Sequence, residues 1–138
     1  MLRIMLTVAV LASTTMNSMA QAQQPAMAPA ATPAPIKRTL LQKVDVPGAN
    51  YETITGIAEI MPNVNIGRHT HFGPETGYMI EGEMVLLVDG KPAQTVKTGE
   101  SYQVPPGATH DARSGDKGAK VLAVYVVEKG KALATPAP

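Results

Sequence analysis

The chain has 138 residues, carries 12 Lys and Arg against 11 Asp and Glu, and contains no cysteine. That length bounds it to one domain, and the near-balanced charge excludes a basic nucleic-acid footprint. Without disulfides, packing must hold the fold, alone or with a bound metal.

Residues 1–20 open with Arg3, continue through an apolar run over 4–12, and end in Ser18-Met19-Ala20. This is the pattern of a secretory signal cut after Ala20, with a second option after Ala22. The run is about half the ~20 residues of a membrane-spanning helix, so an uncleaved anchor is the weaker reading. Export to a bacterial periplasm or beyond is the expectation, with no membrane contact after cleavage. Residues 21–35 are rich in Ala, Pro and Gln, with Pro25, Pro29, Pro33 and Pro35. Such a segment buries too little surface to offset its ordering entropy and reads as a flexible linker.

Residues 36–131 form the expected folded domain. Turn signals recur along it: Pro47-Gly48, Pro62-Asn63, Gly73-Pro74, Asp89-Gly90, Pro105-Pro106-Gly107 and Ser114-Gly115. Short β-branched and apolar segments lie between them, which predicts an all-β sandwich or barrel. The clearest strands are 53–61, 76–80, 83–88 and 120–127. Asp89-Gly90 suits a two-residue hairpin turn between 84–88 and 93–96. Residues 121–127 are almost continuously apolar, as in a strand covered on both sides or at an oligomer interface. Residues 132–138 resemble the linker and are expected to form a flexible tail.

Three histidines are present, and two are His69 and His71. On a strand, positions two apart share a face, so both imidazoles would point to one place. Glu75 follows a turn-like Phe72-Gly73-Pro74 and would return to the same place. His110 comes after the rigid Pro105-Pro106-Gly107. Three neutral imidazoles and a carboxylate suit one divalent first-row metal. The competing reading of His69 and His71 alone is a surface or hydrogen-bonded pair.

The order of these residues resembles the cupin superfamily. The run His69-Thr-His71-Phe-Gly-Pro-Glu75, with Gly82 seven positions on, is similar to the first cupin motif. The run from Gly99 through Pro105-Pro-Gly107 to His110 is similar to the second. Asn63 stands where the first motif opens on glycine, and Ser114 where the second closes on asparagine. Asn tolerates a left-handed backbone better than most residues, so the turn at 63 is expected to survive.

The resemblance implies a small antiparallel jelly-roll barrel with a metal in one mouth, held by His69, His71, Glu75 and His110. It implies a monocupin, a type that often forms homodimers. The metal could be iron, manganese, nickel, copper, cobalt or zinc, and the ligand set does not choose among them. Residues 68–71 and 77–82 are similar to small exported proteins described as quercetin-dioxygenase-like cupins. That implies a metal-dependent dioxygenase of a small phenolic or enol-type compound, with Glu75 as ligand and catalytic base. The alternatives are a metal-assisted lyase, isomerase or decarboxylase, and a non-catalytic periplasmic module binding a small molecule or metal. Gly77 and Met79 share the face of Glu75, and Met79 is expected in the core. Phe72 is assigned to the metal mouth or the barrel cap, and Arg68, Glu81 and Asp111 to solvent. One of Tyr102 and Gln103 must face inward.

Overall fold

The computed structural model describes residues 34–138. The expected signal segment, 1–20, and the linker up to residue 33 lie outside the described residues. Eight strands follow: β1 (Ile36–Asp45), β2 (Tyr51–Ile60), β3 (His69–Thr70), β4 (Glu75–Val88), β5 (Gln94–Lys97), β6 (Ser101–Val104), β7 (His110–Glu128) and β8 (Thr135–Pro136). All pairings between them are antiparallel, and the described residues contain no helix. The all-β expectation holds.

β7 is the spine. Its C-terminal half pairs with β2 on one side and with the start of β4 on the other. Its N-terminal end pairs with β3 and with the end of β4. Val121, Ala123 and Val127 of the apolar run are buried, while Leu122, Val124 and Val126 on the opposite face are half-buried.

β4 is one strand where the sequence suggested two. The register slips between Met79 and Glu81 and again between Gly82 and Met84. Odd positions 75, 77 and 79 face inward before the slips, and even positions 84, 86 and 88 after them. A bulge shifts the side-chain parity and bends the strand. The curl carries the sheet around a core in which Met79, Val96, Val104 and Val127 are fully buried. Each such side chain contributes on the order of 1.5–3 kcal/mol.

Three features differ from or add to the sequence reading. Asp89-Gly90 does form a turn, closed by Lys91 N–H donating to the Val88 carbonyl at 3.0 Å. It is not a two-residue hairpin, because β4 and β5 stop pairing at Leu86 and Gln94, and the residues between belong to a longer loop. β1 was not anticipated, since nine of its ten residues are exposed and show no alternation. The segment 132–138 is not an open tail: β8 pairs Thr135 with Thr70 and Pro136 with His69.

The two departures from the cupin motifs meet in space. Asn63 adopts φ 58°, the one left-handed non-glycine among the described residues. Its N–H donates to the Gly115 carbonyl at 3.0 Å. Ser114 is buried, donates from Oγ to the Met61 carbonyl at 2.6 Å and accepts from the Val64 N–H at 3.0 Å. Together they fasten the approach to β3 onto β7.

Candidate metal centre

His69 lies on β3, directly opposite His110 at the start of β7. His71 follows β3, and its carbonyl accepts from Gly107 N–H at 2.9 Å, which ties the two motif segments together. Phe72-Gly73-Pro74 turns the chain so that Glu75 starts β4. Gly73 is required there, because a Cβ at this position would lie 1.6 Å from the Val126 carbonyl oxygen.

The four expected residues converge. Their candidate ligand atoms lie within 4.8 Å of one another, against a spread of roughly 4 Å for donors sharing one ion at ~2.0–2.2 Å. His71, Glu75 and His110 are buried, and His69 is half-buried. Glu75 Oε2 stands 2.9 Å from His71 Nε2 and 3.3 Å from His110 Nε2.

Each imidazole is oriented from behind. The Nδ1 of His69 donates to the Gly67 carbonyl at 2.7 Å, that of His110 to the Ala108 carbonyl at 2.9 Å, and that of His71 to the Leu133 carbonyl. A carbonyl only accepts, so Nδ1 carries the proton and Nε2 presents a lone pair. The Nε2 atoms of His71 and His110 are buried and make no hydrogen bond. Two lone pairs facing a carboxylate in a buried site call for a cation or an extra proton between them. The donor set and these orphaned atoms fit a divalent metal.

Tyr102 completes the setting. Its hydroxyl donates to Glu75 Oε1 at 2.6 Å and leaves Oε2 to face the imidazoles. Gly77 makes room for this, since a Cβ there would lie 2.2 Å from the Tyr102 ring. Burial opposes the charge on Glu75, but His110, His71 and Tyr102 outweigh it and hold the pKa near about 2. Burial pushes His69 down, towards the neutral ligating form. Burial also lowers His110, but Glu75 and the Ala108 carbonyl raise it by more. Burial and the neighbouring Glu75 push both Tyr102 and Tyr125 up, so both hydroxyls keep their protons.

Beside the four residues lies a cavity of about 40 Å³, whose walls include Arg38, His69, Glu75, Tyr102, His110 and Tyr125. Water's share of the liquid is about 30 Å³, so the cavity has room for roughly one small ligand atom group beside the site.

Some residues fall elsewhere. Met79 is in the core as expected. Phe72 is exposed, with the Lys131 ammonium 5.4 Å above its ring. Arg68 is solvent-exposed and forms a forked ion pair with Asp89 at 3.0 and 2.8 Å. Asp111 is not merely solvated: its Oδ1 accepts from the Gly67 and Ala112 N–H groups and braces the loop behind His69. Tyr102 rather than Gln103 faces inward. The alternation of Ser101, Tyr102, Gln103 and Val104 carries that signal, because Val104 must enter the core. Arg38 and Leu133 carried no comparable signal.

The sequence profile of the cupin domain family matches residues 56–127. The chain belongs to the cupin family. Among curated proteins, this cupin is 30% identical over 81 residues to dimethylsulfoniopropionate lyase DddW of Ruegeria pomeroyi, covering 59% of this chain and 51% of that one. The chain thus spans about half the length of the curated relative it matches. Among solved structures, it is similar to the dimethylsulfoniopropionate lyase DddQ of Ruegeria pomeroyi, with a TM-score of 0.62 at 17% identity, over 73% of this chain and 51% of that one. A recombinant oxalate oxidase in complex with glycolate gives a TM-score of 0.59 at 19% identity, over 76% and 56% of the two chains. At these identities the structural likenesses establish the cupin fold alone.

β8 and the carbonyl of Leu133 hold His71 in place, which gives a direct test. Removing residues 132–138 should weaken metal binding by about 10- to 100-fold, the usual cost of losing the partner behind a ligand. Competition with a chromogenic chelator measures it. An unchanged affinity would show that the Leu133 contact does not orient His71.

Proposed function

We propose that this cupin is a metal-dependent lyase or decarboxylase acting on a small carboxylate compound. The observation that carries this reading is the 40 Å³ cavity lined by His69, His110 and Glu75 of the four-residue cluster. Sites for drug-sized ligands enclose about 300–1,000 Å³, so the space directly beside these residues favours a group the size of one carboxylate or carbonyl. The cavity also argues against a purely sequestering module, since a structural metal site is closed while a catalytic one keeps an open position.

His69, His71, Glu75 and His110 would hold the ion. Once bound, it would supply Lewis-acid polarisation of a substrate oxygen. The protein groups have separable tasks. The three backbone carbonyls fix the tautomers. Glu75, whose Oε2 faces the imidazoles, would offset the charge of the ion as a ligand. Tyr102 fixes the rotation of that carboxylate. Tyr125, protonated and on the cavity wall, can give a hydrogen bond to a substrate oxygen. The similarity to a relative named as a dimethylsulfoniopropionate lyase supports a carboxylate substrate and a reaction without dioxygen.

The test is turnover of small carboxylic acids and flavonols by metal-loaded protein in an oxygen electrode. The expected result is conversion of an acid with no oxygen uptake. Oxygen consumption with a flavonol, or no turnover across the panel, would overturn the proposal.

A further inference from the structure

The cavity wall holds one permanent cation, Arg38. Arg38 lies on β1, opposite Ala58 of β2. It shares its side of β1 with Ile36, which packs against the core, and it lines the cavity while remaining exposed, so the guanidinium sits at the mouth. Its basic neighbours on β1 have acid partners: Lys37 reaches Glu59 at 3.7 Å and Lys43 reaches Glu52 at 2.9 Å. Arg38 has no ion pair or side-chain hydrogen bond among the described residues. An exposed charged group at the entrance to a ligand-type cluster, with no partner among the described residues, is arranged for an anion from outside.

A second cavity of about 190 Å³ adjoins the first and shares Arg38, Ala58, Ala123 and Tyr125 with it. Its other walls are apolar for the most part, including Ile54, Ile57 and Leu133. Arg38 and Tyr125 therefore stand at the boundary between the chamber that holds the His and Glu cluster and a second, mainly apolar one. Guanidinium forks match carboxylates in geometry as well as charge.

We infer that Arg38 is the carboxylate-recognising residue of this cupin, and that the adjoining apolar chamber takes a short aliphatic chain of the same molecule. The substrate class is then a short-chain aliphatic carboxylate, with the carboxylate on Arg38 beside the metal centre. This rests on the function proposed above, and it narrows the substrate to a monoanion with an apolar body. Oxalate, which has no such body, would leave the second chamber unused.

Calorimetric titration of zinc-loaded protein with straight-chain carboxylates from acetate to valerate, and with butyramide, tests it. Affinity should rise by about fourfold per added methylene, the worth of burying one such group. Arg38→Gln should weaken butyrate binding at least about tenfold, leave the weaker binding of butyramide unchanged, and leave zinc affinity unchanged. Arg38→Lys should recover part of the loss. Equal butyrate affinity in wild type and Arg38→Gln, or no binding of any acid, would overturn the role of Arg38. A flat chain-length series would overturn the role of the apolar chamber. If wild type takes up no zinc, the metal reading fails instead, and the same titrations on metal-free protein still decide whether Arg38 selects the carboxylate.

Discussion

A His69→Ala/His110→Ala variant should lose stoichiometric metal. The two residues are cross-strand partners, 41 positions apart in the chain, and they supply the β3 and β7 sides of the centre. Removing both leaves His71 and Glu75 alone, and a two-donor site holds a first-row ion weakly. Losing only the partner behind a ligand typically costs 10–100-fold in affinity. Losing two ligands should exceed about a thousandfold. Elemental analysis of protein from its native compartment, with a zinc competition titration, reads the effect. A metal content equal to that of wild type would show that the ion sits elsewhere or that the cluster is a hydrogen-bonded histidine group. The barrel should survive the change, because the main core cluster around Met79, Val96 and Val104 includes neither histidine.

Gly73→Ala should be the most damaging single change outside the cluster. The added methyl would lie 1.6 Å from the Val126 carbonyl oxygen and 2.8 Å from its carbon. Backbone stands on both sides of this clash, and Val126 N–H donates to the Pro74 carbonyl at 3.1 Å, so neither segment can withdraw without breaking the β4–β7 ladder at Glu75 and Tyr125. Overpacking usually costs about 1–3 kcal/mol. Here the upper end or beyond is expected, which for a domain of this size lowers Tm by roughly 12–24 °C. Gly77→Ala makes the contrast. Its methyl would meet the Tyr102 ring, a side chain that can turn aside. It should cost less stability and yet detach Tyr102 from Glu75. Thermal melts of the two variants check the ranking, and equal Tm losses would refute it.

The sequence by itself determined the four-residue cluster. His69, His71, Glu75 and His110 were legible because strand spacing and turn residues leave a clear trace, and the cupin-like order made that trace specific. Asn63 was legible for a similar local reason, since few residues accept a positive φ. Strand boundaries were less so. β4 read as two pieces because a bulge reverses its parity at Ile80–Glu83, and pattern reading takes reversed parity for an end. β1 left no trace, because an exposed edge strand is held by its partner's hydrogen bonds and not by its own apolar pattern.

Only the tertiary structure decided what surrounds the four residues. It showed that the segment 132–138 folds back to support His71 through Leu133, that Tyr102 rather than Gln103 reaches Glu75, and that Arg38 stands at the mouth. These contacts join positions 27 to 62 residues apart or lie on an unpatterned edge strand. Local propensity says nothing about such distances. A ligand cluster can be written in the spacing of one or two short motifs, whereas the groups that orient it and admit a substrate depend on how distant strands are brought together.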